Sequence, residues 1–291
     1  MTDGMAAQPT AATGAASSAH RTSILRLRRR LASMAIPAFG YFGFAFLYTP
    51  IFFLILFSFN DHIIPSLPFR GFTLKWYNEL GYDFVMHEAL YNSLFIASWT
   101  TVISTTIATL AAFPLVRRRY RLKVLSQLLV VLPMVIPHFL LGVALLIFFT
   151  FVNMPLSRLT IILGHVVFTL PFAIMVISTR LHGFDRTLEL AAADLGADPR
   201  QTFRFVVLPI ILPGIVGAAL LVFALSMDEF LITYFVSGQK GTITMHIWSL
   251  LKDGIAPRVN ALATVLILAS FILLIAGNWL SGGASTRERR R

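Results

Sequence analysis

The residues of this sequence best placed to do chemistry are ionisable side chains inside long apolar runs. Asp228 and Glu229 follow one another in the run from about Val206 to Val236, and His138 follows Pro137 in the run from about Val124 to Phe151. A charge at membrane depth is costly unless it is paired or hydrated, so such residues mark solute or ion routes, or pairs that hold helices together. On the first reading, one acid lines a route and meets a cationic or amine-bearing solute. On the second, it is an interfacial acid that pairs with a neighbour or caps a broken helix. His138 divides the same way, between a hydrogen-bonded helix partner and a titratable neutral group facing the route. His165 has no ionisable neighbour at helical spacing and reads as structural.

Other chemistries lack their residues. With no cysteine, disulfide frameworks, thiolate zinc sites and thiol catalysis are excluded. No G-x-x-x-x-G-K-[ST] phosphate loop occurs, and the GQKGT stretch around Lys240 lacks its spacing, so this chain does not hydrolyse ATP by itself. Neither H-E-x-x-H nor G-x-S-x-G is present. No metal site and no cofactor of the chain's own are expected.

The elements that must position these residues follow from composition. Of 291 residues 57% are hydrophobic and 13% charged, against about 45–50% and about 25% in an average soluble protein. A mean hydropathy of +0.77 agrees. The net charge of +11 sits at the ends of apolar runs and forms no basic face for nucleic acid. A membrane span needs about 20 apolar residues. Six runs qualify, near 31–59, 89–116, 124–151, 159–179, 206–236 and 259–280. The connection 60–88 is long, whereas 152–158 is short enough to make spans three and four a tight antiparallel pair.

Basic residues orient the spans. Eighteen of the 24 Lys and Arg fall on one side: five from Arg21 to Arg30, five from Arg117 to Lys123, then Arg180, Arg186, Arg200 and Arg204, and the last four arginines. Arg70, Lys75, Arg158, Lys240, Lys252 and Arg258 fall on the other. This asymmetry predicts an all-α integral membrane protein of six transmembrane helices with both termini in the cytoplasm. The expected layout is a basic tail over 1–30, a membrane domain over 31–280 and a second basic tail over 281–291.

One cytoplasmic loop stands out, residues 181–205, LHGFDRTLELAAADLGADPRQTFRF. Leu188, Ala191, Ala192 and Leu195 share one face of a helix. Gly196 supplies a stop that tolerates a left-handed backbone. Asp198–Pro199 is a good N-cap and first-turn pair for a second short helix carrying Arg200. A helix–Gly–helix hairpin with an Ala-rich face admits close docking of another protein, and its charges can fix the register. A solvated linker would not need such a face.

The stretch AAADLGADPRQTFRFVVLPIILPGI resembles the EAA motif of ABC importer permeases. Ala191, Ala192 and Gly196 fall on the motif positions, and Val206, Leu208 and Pro209 match its end in type. Leu190 stands where the motif has Glu, with Glu189 one residue earlier. Residues 136–146, 223–238 and 254–268 are similar to the spermidine/putrescine-type branch, and the likeness runs over about 31–277.

The resemblance implies a type I permease fold whose hairpin sits in a cleft of a cytoplasmic ATPase. Glu189, Leu190, Ala191, Ala192, Asp194, Gly196 and Arg200 would then be ATPase-coupling residues, and Asp228, Glu229 and His138 the substrate pathway. It also implies a second permease subunit, expected to be a different chain. Two ATPase subunits carrying ATP and Mg, a periplasmic solute-binding protein and a site in the bacterial inner membrane complete the picture. Polyamine is the first solute expected. His138 and Arg258, where relatives of this branch carry acids, leave another small amine, an amino-acid-like solute or a phosphonate open. An ion-coupled secondary transporter is the remote alternative, and it would need acids on several spans.

Overall fold

The computed structural model describes residues 37, 39–62, 69, 71–118, 120–254, 257–269 and 271–272. Both basic tails lie outside the described residues. The described residues are helical except for turns and one isolated bridge between Asn60 and Phe72. The chain divides into two compact units, 1–73 with 260–291, and Leu74–Val259.

The first unit holds α1 (Phe39–Phe57) and most of α12 (Pro257–Ala269). After α1 the chain turns at Asn60, and the Thr73 amide donates to the Phe59 carbonyl at 2.8 Å beside the isolated Asn60–Phe72 bridge.

The second unit begins with α2 (Lys75–Gly81) and α3 (Phe84–Arg117), followed by α4 (Lys123–Val135) and α5 (His138–Phe151). Next come α6 (Arg158–His182), α7 (Thr187–Asp194) and α8 (Pro199–Thr202). A π-helical turn, Phe203–Val207, leads into α9 (Leu208–Asp228), α10 (Leu231–Val236) and α11 (Ile243–Lys252). Helices α3, α6 and α9 pack on one another as the core. Their seam is rich in small residues, with Ala97, Ala108, Ala112, Ala173 and Ala218 all fully buried. Small side chains let membrane helices approach closely, where packing replaces the hydrophobic drive that lipid removes. A buried hydrogen bond, Ser104 Oγ to Thr169 Oγ1 at 2.9 Å, joins α3 to α6 across this seam.

Among the described residues, four helices are long and apolar enough to cross a membrane: Phe39–Phe57, Phe84–Arg117, Arg158–His182 and the continuous run Pro199–Asp228. The second and fourth expected spans are found nearly as read. The third is not straight, because α4 and α5 meet at 106°. Ile136 precedes Pro137 and is extended (φ −70°, ψ 128°), the conformation that a following proline imposes. Counted together, the bent pair makes a fifth crossing. Nor do spans three and four form a tight pair, since α5 packs chiefly on α10. The fifth expected span ends early, at Asp228, and continues as the separate helix α10. Of the sixth, the described part is α12, 13 residues long.

The π-helical turn before α9 has a local cause. Pro209 lacks the amide that would bond the Phe205 carbonyl, and the Leu208 amide reaches back five residues to the Phe203 carbonyl. The Trp76 side chain is buried.

Candidate functional site

Two places gather the residues singled out in the sequence. The first is the break between α9 and α10. Glu229 leaves the helix with extended geometry (φ −72°, ψ 111°), and its Oε1 accepts the Ile232 amide at 2.9 Å, capping α10 from the side chain. Its Oε2 lies 3.1 Å from His138 Nδ1, at the first residue of α5. Both carboxylate oxygens are thus engaged, and Glu229 is buried. Asp228, one residue earlier, is exposed.

The two acids, His138, Phe168, Leu225, Phe230 and Leu231 line a cleft of about 200 Å³. The Phe168 ring meets the His138 ring edge-on, with centroids 4.3 Å apart. The arrangement therefore offers one open carboxylate and aromatic walls, and both can hold an ammonium group. Glu229 is thus the capping and paired acid, and Asp228 is the exposed one.

Long-range packing fixes this geometry. Helix α10 docks where α5 and α6 carry glycine. A Cβ on Gly142 would lie 3.2 Å from the Leu231 carbonyl oxygen and 3.3 Å from Ile232 Cα, and one on Gly164 would lie 2.8 Å from Ile232 Cγ2. Fully buried His165 spans the break, with Nδ1 2.8 Å from Ser226 Oγ on α9 and Nε2 2.8 Å from Thr233 Oγ1 on α10. Thr160 Oγ1 donates to the Val236 carbonyl at 2.8 Å. The structural reading of His165 therefore holds, with partners that helical spacing could not reveal.

Arg258 is not a free cation beside the route. It pairs with Glu79 at 2.6 Å, at the edge of a polar cleft of about 600 Å³ that also includes Lys75 and Asp83.

The second place is the hairpin between α6 and α9. Asp185 accepts the Thr187 amide at 2.9 Å and starts α7. That hydrogen bond, first from the backbone and then from the Thr187 side chain, holds the Asp185 carboxyl below the usual carboxylate range. Just past the end of α7 stands Gly196, whose φ of 85° belongs to the left-handed region. There the Ala197 amide returns to the Ala192 carbonyl at 3.0 Å and the Gly196 amide to the Ala193 carbonyl at 2.9 Å. Asp198 accepts the Arg200 and Gln201 amides at 2.7 and 2.8 Å, while Gln201 Oε1 accepts the Asp198 amide. This is a complete capping box built from side chains within four residues.

Most of the predicted coupling residues are open. Leu190 is 66% exposed and Leu195 89%, and Ala191, Asp194, Gly196 and Arg200 are exposed as well. Ala192 is half-buried. Glu189 turns the other way and pairs with Arg117 at the end of α3. Arg117 had figured in the sequence only as an orienting charge, and its separation of 72 residues from Glu189 gave no signal of a pair.

Four long apolar helices and one bent apolar pair among the described residues define a multi-pass membrane protein. The chain belongs to the family described as binding-protein-dependent transport system inner membrane component, which matches residues 104–289. It is a multi-pass permease subunit of an ABC importer.

Among particular relatives, it is 38% identical over 256 residues to the putrescine transport system permease protein PotI of Escherichia coli K12, covering 85% of this chain and 91% of that protein. It is 34% identical over 239 residues to the spermidine/putrescine transport system permease protein PotC of the same strain, covering 82% and 90%. Among solved structures, a bacterial ABC transporter that imports the acidic polysaccharide alginate shares the fold, with a TM-score of 0.67 at 15% identity over 87% of this chain and 97% of that one.

Proposed function

We propose that this chain is one permease subunit of an ATP-driven importer that carries polyamines, of the spermidine and putrescine kind, across a bacterial inner membrane. The observation that carries this reading is the α9–α10 cleft. It exposes Asp228 beside aromatic rings in a chain whose relatives PotI and PotC are named for putrescine and spermidine transport. A polyamine is a flexible chain of ammonium groups. A single open carboxylate with aromatic walls can hold one ammonium at a time without trapping the whole molecule.

In this reading the chain has six spans with both termini in the cytoplasm. It works beside a second, different permease subunit and two ATPase subunits, which carry ATP and Mg, and it binds no cofactor of its own. A periplasmic binding protein delivers the solute. The hairpin of residues 181–205, through Leu190, Ala191, Ala192, Asp194, Gly196 and Arg200, docks on an ATPase. Closure of the ATPases on ATP reorients the core helices by alternating access, and hydrolysis resets them.

One observation favours a second reading. Because His138 engages Glu229, Asp228 is left as the one open carboxylate of the cleft. A smaller or less cationic amine, or an amino-acid-like solute, fits that balance.

The test is spermidine uptake by the assembled importer carrying Asp228→Asn or Asp228→Glu. Asp228→Asn is expected to cut uptake about ten-fold, equivalent to about 1.4 kcal/mol, and Asp228→Glu to keep most of it. Equal uptake by all three chains would remove Asp228 from the pathway.

A further inference from the structure

The hairpin has two faces, and only one of them is free for a partner. Leu188, Leu190, Ala191 and Leu195 are exposed. Glu189 belongs to the inner face. Adjacent residues of a helix point about 100° apart, so the acid one place before Leu190 turns from the open face towards α3. There it pairs with Arg117, the last residue of α3, and the two side chains are only 25% and 18% exposed.

Arg117 is held from several directions. Its guanidinium lies over the Phe113 ring of α3 at 5.1 Å and over the Phe184 ring, at the entry to the hairpin, at 5.2 Å. Phe203, at the exit of the hairpin, packs edge-on against Phe113 with centroids 5.3 Å apart. Entry, body and exit of the hairpin therefore converge on the last turn of α3. Because α3 packs along both α6 and α9, a displacement of its end is felt by the whole core.

The contact also borders open space. A cleft of about 480 Å³ lies beside the pair, between Phe113, Ala193, Pro199 and Phe203.

We infer that Arg117 and Glu189 are positioning residues for transport: their ion pair is the latch through which movement of the hairpin pulls on α3 and so on the α3–α6–α9 core. The latch deepens the coupling role and rests on the reading of the hairpin as the ATPase-docking element. Leu190 then serves the docking face and Glu189 the transmitting face. The acid displaced by one residue is not a defective motif acid but a contact made within the chain.

The test uses the whole importer in proteoliposomes, with spermidine uptake and ATP hydrolysis measured on the same sample. Arg117→Met keeps the packing on Phe113 and Phe184 and removes the charge. It is expected to lower the spermidine moved per ATP at least five-fold, with Arg117→Lys keeping more than half of it. The double variant Arg117→Glu with Glu189→Arg is expected to recover at least half of the lost ratio. An unchanged ratio in Arg117→Met, or a low ratio that the exchanged pair does not recover, overturns the latch. If Arg117→Met fails to assemble, the exchanged pair decides alone. A normal ratio supports the latch, and a low ratio or a second failure to assemble overturns it. Leu190→Arg tests the docking reading separately. Full hydrolysis stimulated by the binding protein in that variant defeats docking, whatever the Arg117 variants do.

Discussion

The hairpin and the α9–α10 break are both short interruptions of long helices, yet they are built in opposite ways. The turns of the hairpin are shaped by bonds between near neighbours, the Asp198–Gln201 box, the Gly196 turn and the Asp185–Thr187 bond, and its long-range contacts are confined to the inner face on α3. Its outer side chains are left open. The break is held by partners far away in sequence, with His138 on Glu229, Ser226 and Thr233 on His165, and glycines of α5 and α6 beneath α10. Its interior is nearly closed, apart from Asp228. A surface offered to another protein can be specified locally, because its remaining contacts come from that protein. Buried polar groups at membrane depth need partners within the protein, because lipid supplies no hydrogen bonds.

The largest effect that would break this comparison is at Gly196. A side chain there must adopt φ near 85°, which strains any L-residue by about 1–2 kcal/mol, and aspartate adds charge to the docking surface. Gly196→Asp is expected to abolish uptake while the chain still inserts in the membrane at its normal level. Uptake at the normal rate would mean that the hairpin does not couple.

A smaller effect sharpens the other side. Glu229→Ala leaves the Ile232 amide and His138 without their acceptor, which costs about 1–3 kcal/mol. It is expected to lower the thermal unfolding midpoint of the purified chain as well as uptake. An unchanged midpoint would show that the break is not held by this acid.

The smallest effect returns to the hairpin. Asp198→Ala removes an N-cap worth about 1 kcal/mol. Hydrogen exchange should quicken in α8 and leave α6 unchanged. Faster exchange across the whole core would contradict the local character of the hairpin.

That difference also decides how much the sequence disclosed. The hairpin was legible almost residue by residue, since Ala spacing, Gly196 and Asp198–Pro199 act over a few positions. Asp228, Glu229 and His138 were legible as candidates because ions are scarce in apolar runs. Their division of roles was not, because the Glu229–His138 contact joins residues 91 apart. The bend at Ile136–Pro137 was written in the proline but hidden by an unbroken apolar run. The break after Asp228 carries neither proline nor glycine, and Glu229 makes it by capping α10. Arg117 was counted only for its charge, and its pairing with Glu189 depends on where α3 ends in space.

The most direct test of the account is uptake of labelled spermidine and putrescine by cells with and without this chain, with unlabelled amines and amino acids as competitors. The account predicts that deletion removes the saturable polyamine uptake and that amines, but not amino acids, compete for it in the intact cells. Saturable polyamine uptake that survives deletion unchanged would contradict it, and would turn the Asp228 cleft towards a less cationic solute.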